Sequence, residues 1–251
     1  SVKRLSRDIR VAAETMSVHE ARFLIDSYYQ RQKDRIRTDH QLAELMEAME
    51  PNLVLGWLGD QDGILERQIK GALERYTMHH PHGRWPRAQV GIGPVICAGL
   101  LAHIDITKAP TAGHIWRFAG LDPSVKWKKG EKRPWNARLK QVCFHMGESF
   151  VWFSGRDDCY YGQVYKARKA WEIEQNEAGL LAETAAETLA TRKFDKATPT
   201  YAAYAAGRLP DGRVHNRARR YAVKLALSHY QAVTWKLATG TDAPKPYVIS
   251  H

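Results

Sequence analysis

The chain has 251 residues, with 38 Lys and Arg against 27 Asp and Glu, a formal net charge of +11 and a sequence pI near 9.6. That balance favours a polyanionic partner such as nucleic acid, although net charge alone proves no binding. No apolar run approaches the roughly 18 residues of a membrane span, and Ser1-Val2-Lys3-Arg4-Leu5-Ser6-Arg7 lacks a secretory apolar stretch.

Three widely spaced cysteines, Cys97, Cys143 and Cys159, argue against a disulfide framework and for reduced thiols inside a cell. They lack paired C-x-x-C spacing, and His79-His80-Pro81-His82 has no partner pair at recognisable distance, so no metal site is expected. The histidine run reads instead as a polar turn ending a helix.

Ser17 and Glu20 have capping-box spacing before apolar positions Ala21, Leu24, Ile25, Tyr28, Ile36, Leu42, Leu45, Met46 and Met49. This predicts a long helix with a break near Thr38-Asp39 and an exposed face carrying Arg31, Lys33, Arg35 and Arg37. Pro51, Gly56, Gly59 and Gly63 interrupt the pattern, and Leu65, Ile69, Ala72 and Tyr76 resume it. Two antiparallel helices, a long hairpin at the N-terminus, are the expected result.

The stretch Val90-Gly91-Ile92-Gly93-Pro94-Val95 opens an apolar helix over about 94–105. Glycine permits φ > 0 and leaves no Cβ between backbone and ligand, while Pro94 suits the first helical position. The free amides and positive dipole end of the helix then face an anion, the logic of a helix-hairpin-helix that holds phosphates without reading bases. A tight turn entering a core helix explains the same residues. A second short helix, about 111–119, should bury Ile115 and Phe118 before Gly120-Leu121-Asp122-Pro123 ends it.

Lys126-Trp127-Lys128-Lys129-Gly130-Glu131-Lys132-Arg133-Pro134-Trp135 then sets two Trp among five cations. Cations pair phosphates and an indole stacks on a base, so Lys126, Trp127, Lys128, Lys129, Lys132 and Arg133 join Gly91, Ile92, Gly93 and Val95 as nucleic-acid-binding candidates. A solvated loop whose Trp residues return to the core is the competing explanation. Leu139, Val142, Cys143, Met146 and Phe150 mark a helix over 135–152, and helix-favouring composition continues over 160–177 and 183–193. Ala218, Tyr221, Ala222, Leu225, His229, Ala232 and Lys236 mark the last helix, before the tail Pro244-Lys245-Pro246-Tyr247. Its start, Arg213 to Arg220, is a second basic cluster that opposes its own helix dipole and so serves a partner, a distant carboxylate or only solvent. No strand alternation is present, and the fold class is an all-α multi-helix bundle.

The order Gly91-Ile92-Gly93-Pro94, Ala98, Leu100-Leu101, Asp105-Ile106, Phe118-Ala119-Gly120-Leu121-Asp122-Pro123 and Asn136-Ala137-Arg138-Leu139-Lys140 resembles the C-terminal domain of the IS-one-ten family of bacterial insertion-sequence transposases. The resemblance covers about residues 88–145. It implies a helix-hairpin-helix, DNA binding, and serine-dependent strand exchange directed by a structured RNA. The family's RNase H-like domain with its metal-binding carboxylates finds no room before the helices that start near Ser17. No cofactor is therefore expected, with magnesium entering only through a separate catalytic domain in trans. Aligning the family's loop glycine with Gly130 puts Lys129 at the nucleophilic serine position, which leaves Ser124 as the nearest hydroxyl and catalytic candidate.

The chain accordingly divides into a helical linker (1–86), a helix-hairpin-helix segment with its basic loop (87–160) and a C-terminal helical segment packed on it (161–251). The leading reading is a sequence-independent DNA-binding protein of transposase ancestry, cytoplasmic and nucleoid-associated or encoded by a mobile element. Structured RNA and a second copy, through the N-terminal helices, are further expected partners. An active serine recombinase aided by a separate domain or guide RNA, and a helical scaffold, are the alternatives.

Overall fold

The structure, a computed structural model, describes residues 3–49 and 53–244. Ser1, Val2, Pro51 and the Lys245-Pro246-Tyr247 part of the tail lie outside the described residues. Every regular element among those described is helical: α1 (Arg7–Ala12), α2 (Val18–Glu47), α3 (Leu53–His79), the single turn α4 (Arg84–Arg87), α5 (Pro94–His103), α6 (Ala112–Phe118), α7 (Ala137–Trp152), α8 (Tyr160–Glu177), α9 (Ala182–Thr191), α10 (Pro199–Ala205) and α11 (Asp211–Thr239).

The capping box forms at the start of α2, where Ser17 N–H donates to Glu20 Oε2 at 2.7 Å and Glu20 N–H donates to Ser17 Oγ at 3.3 Å. The break expected at Thr38-Asp39 does not occur. Thr38 Oγ1 donates to the Asp34 carbonyl at 3.0 Å, so its hydroxyl is satisfied within the helix, and the side chain is buried. Nor do Gly56, Gly59 and Gly63 interrupt α3, which runs through all three. At Gly59 the missing side chain admits α2: a Cβ there would lie 3.3 Å from Thr38 Cγ2.

Arg31 and Arg35, expected on a solvent face, instead bridge to α3, Arg31 to Asp62 at 2.9 Å and Arg35 to Glu66 at 2.7 Å. Ile36, Met46 and Met49, expected on the buried stripe, are exposed. Only Ala21 and Ile25 of α2 and Leu73 and Tyr76 of α3 are buried in the main core, so the far ends of both helices extend beyond it.

That core takes residues from each of the three segments 1–86, 87–160 and 161–251. Helix α5 is buried on nearly all sides, and Gly99 accepts Val142 of α7 against its bare Cα, where a Cβ would meet Val142 Cγ2 at 2.6 Å. The predicted stripe of α7, Leu139, Val142, Cys143, Met146 and Phe150, is buried throughout. Phe118 departs from expectation at 43% exposed, because Ala119 occupies the inward position beside Ile115.

Helix α11 departs too: Tyr221 and Ala232 are exposed, and the buried face carries Ala218, Ala222, Val223, Ala226, Leu227 and Tyr230. Because α6, α7 and α8 all pack on this helix, its apolar stripe is wider than a single 3.6-residue ridge predicts. Buried Gln231 satisfies its amide on the carbonyls of Ala109 and Pro110. Glu172 of α8, 1% exposed, joins the helices by accepting from Arg168 at 2.8 Å and Arg217 at 2.6 Å.

A second, small core holds Ala185, Tyr204, Leu209 and Val214, with Leu181, Leu189 and Phe194 beside them. Asn176 pins it to α8, its side chain bonding both the N–H and the carbonyl of Leu209. No helix among the described residues is long and apolar enough to cross a membrane.

Candidate nucleic-acid interface

The Gly91–Pro94 turn is built as a rigid corner. Gly91 takes φ +95°, a region that disfavours any Cβ, and a Cβ there would also strike Phe150 of α7 at 2.8 Å. Ile92 N–H donates to the Gln89 carbonyl at 3.0 Å, and Arg87 holds the Ile92 carbonyl at 3.2 Å. Ile92 and Val95 turn their side chains into the core, while Gly91 and Gly93 stay partly exposed and nothing lies within 4 Å of where a Gly93 Cβ would stand. The amides of Val95 and Ile96, in the first turn of α5, have no backbone partner among the described residues.

This corner opens onto a cavity of about 440 Å³ whose lining includes Tyr28, Tyr29, Lys70, Arg87, His145 and Ser149. Tyr29 stacks on His145 at 4.5 Å, and burial holds His145 below its usual pKa. Of the two cations present, Arg87 is engaged by Glu74 at 3.1 Å, leaving Lys70 as the exposed charge.

The basic loop hangs on different supports. Asn136 N–H donates to the Phe118 carbonyl at 2.8 Å, closing the loop at its base, and Trp135 packs on the bare Cα of Gly120, which takes φ +66°. Trp127 meets Trp135 edge-on at 6.0 Å and donates its indole N–H to the Glu131 carbonyl at 2.8 Å. Both indoles are half-buried in this local contact, outside the main core. Lys126, Lys128, Lys129, Lys132 and Arg133 are all exposed, and among the described residues none is ion-paired with a carboxylate. Arg133 lies 5.5 Å over Trp127.

Ser124 sits in the turn before these cations, where its N–H and Oγ both donate to Asp122 Oδ1, at 2.9 and 2.7 Å. Those bonds hold the Asp122 carboxyl below the usual carboxylate range, which makes it a weak base toward the hydroxyl. Burial pushes the thiols of Cys97 and Cys143 up to about 12, so neither is a ready nucleophile.

The second basic cluster continues the loop's surface. Lys140 of α7 lies 4.2 Å over Trp135, and Lys224 of α11 lies 4.1 Å over Trp116, whose indole N–H donates to the Lys224 carbonyl. Arg217 and Arg219 find distant carboxylates, Glu172 and Glu148, whereas Arg213 and Arg220 have none among the described residues. Sequence reasoning named the cluster but not its division of labour. The signal was the spacing of 213, 220 and 224 by about two turns and one, which places them along one side of α11.

Corner and loop do not converge. Helix α5 runs antiparallel to α7, with Gly91 against Phe150 and Gly99 against Val142, so the corner lies at the C-terminal end of α7 and the loop at its N-terminal end. At 1.5 Å per residue the two are separated by about 20 Å. No family model, curated protein or solved structure matches the chain.

Proposed function

We propose that this chain is a DNA-binding protein of transposase ancestry that holds the sugar-phosphate backbone without reading sequence. The observation that carries the reading is the run of five exposed cations, Lys126, Lys128, Lys129, Lys132 and Arg133, with no carboxylate partner among the described residues, continued on α11 by Arg213 and Arg220. Arg31, Arg35 and Arg217 by contrast have acidic partners, and what sets these cations apart is that they are clustered and available to an external anion.

In this reading α4, the Gly91–Gly93 turn and α5 form the helix-hairpin-helix, and α2 with α3 the helical linker before it. The amides of Val95 and Ile96 make a second phosphate contact. A separation of about 20 Å from the loop corresponds to about six base pairs of duplex at 3.4 Å each. Ion pairing with phosphate releases condensed counterions, at about −0.9 in the slope of log affinity against log salt per phosphate neutralised. Fluorescence anisotropy of a labelled duplex across a salt series should therefore give a slope steeper than about −3. A flat response, or equal affinity after removal of the loop lysines, overturns the proposal.

A further inference from the structure

Between the N-terminal half of α7 and the first turns of α11 lies a cavity of about 270 Å³. Its lining combines apolar Leu121, Cys143, Phe144 and Val223 with Lys140, Arg213, Arg219 and Arg220. Asn216 braces two of these arginines, accepting from Arg219 at 2.7 Å through its side chain and from Arg220 Nε at 3.2 Å through its carbonyl.

Three features of this cavity are left incomplete by the protein alone. Arg213 Nε is buried and has no hydrogen-bond partner among the described residues, a donor that an anionic acceptor would satisfy. Lys140, Arg213 and Arg220 line one cavity with no ion-paired carboxylate among the described residues, whereas Arg219 has Glu148. Burial first and neighbouring cations second push both Lys140 and Arg220 below their usual values, as expected of charges lacking a counter-anion. Finally, Phe144 is 50% exposed, with the Arg219 guanidinium 4.5 Å from its ring.

A phosphate alone would need the cations but not the apolar lining, and a paired duplex presents phosphates with its bases hidden in the stack. A nucleotide turned out of the stack offers both a charged group and a planar face. We propose that this cavity receives a single unstacked nucleotide of a bound strand, its phosphate on Arg213, Arg220 and Lys140 and its base against Phe144. The proposal rests on the reading that the adjoining loop grips duplex DNA, and it adds that bulged or unpaired positions are preferred.

Two labelled duplexes, one fully paired and one with a single unpaired 2-aminopurine, test it against the full chain. The bulged duplex should bind about tenfold tighter, the size expected of one base–aromatic stack, and its 2-aminopurine emission should change on binding. Phe144→Ala should remove that preference while leaving the paired duplex bound as before. Equal binding of both duplexes with no emission change overturns this inference and leaves the backbone-binding reading intact, as does a preference that survives Phe144→Ala. Tight capture of free deoxyadenosine monophosphate without preference for the bulge overturns it in favour of a free-nucleotide site. Failure to bind either duplex removes the underlying reading.

Discussion

Two arginine- and lysine-rich regions of this molecule use the same charge in opposite ways. Along α2, Arg31 and Arg35 are answered by Asp62 and Glu66 of α3, which closes the contact between the two helices, and Arg37 is answered by Asp34 within α2. Around the 126–133 loop and the start of α11, five loop cations together with Arg213 and Arg220 have no such answer among the described residues. Basic content therefore points to a partner only after the internal pairs are subtracted. The loop's own framework, Trp127 on Trp135 and Trp135 on Gly120, fixes its shape without consuming a charge.

The sharpest way to break this contrast is to neutralise equal kinds of charge in both regions. Replacing Lys126, Lys128, Lys129 and Lys132 together by Gln should weaken duplex binding by up to about a thousandfold at 0.1 M salt, with every sequence affected alike. Thermal stability should be unchanged by circular dichroism, since none of the four is ion-paired among the described residues. If affinity holds, the loop is only a solvated surface.

Next in size is Glu172→Gln, which removes the shared acceptor of Arg168 and Arg217. Breaking a fully buried pair costs about 3–5 kcal/mol, but both guanidiniums retain water contact, so a loss of about 2 kcal/mol is expected. That corresponds to a Tm lower by about 4–8 °C. Gly91→Ala should cost about 1–2 kcal/mol through its positive φ and its approach to Phe150, read as a lower urea midpoint.

The double replacement Arg31→Gln and Arg35→Gln completes the contrast with the loop, costing about 1 kcal/mol of stability while changing duplex affinity by less than about twofold. An affinity loss as large as that of the loop variant would erase the distinction between the regions.

The smallest effect is in pH. Burial holds His80, His103, His145, His215 and His229 below the ordinary histidine value. Protons therefore bind the unfolded chain more readily, and stability rises with pH up to about 6.5, where the unfolded histidines lose theirs. Urea midpoints should fall between pH 7 and pH 5.5. His229, whose Nδ1 lies 2.9 Å from the Tyr161 hydroxyl, contributes through its burial.

Helical class, the α7 stripe and the glycine corner were legible in the residues because each is local: a 3.6-residue period, or a turn only glycine tolerates. What was not legible depends on residues far apart in the chain. Asp62 and Glu66 lie about thirty positions beyond the arginines they neutralise, so α2 on its own read as a basic solvent face. Similarly, Gly91 and the loop read as parts of one grip because they are close in the chain. The antiparallel course of α5 and α7 puts a helix length between them, and no local pattern encodes that. On α11, three packed neighbours widen the buried face beyond what one ridge of apolar residues would mark, which is why Tyr221 and Ala232 were misassigned.

The α9–α10 excursion has a consequence for how the chain comes apart. With only Ala185 and Tyr204 buried against Leu209 and Val214, and Asn176 as its polar anchor, it shares little of the main core's cooperativity. Backbone amides of 182–205 should exchange with deuterium well ahead of those in α5 and α7. An opening of this kind would release Leu209 and then Val214, at the foot of the helix that carries Arg213 and Arg220, so fraying there loosens the basic surface before the molecule as a whole melts.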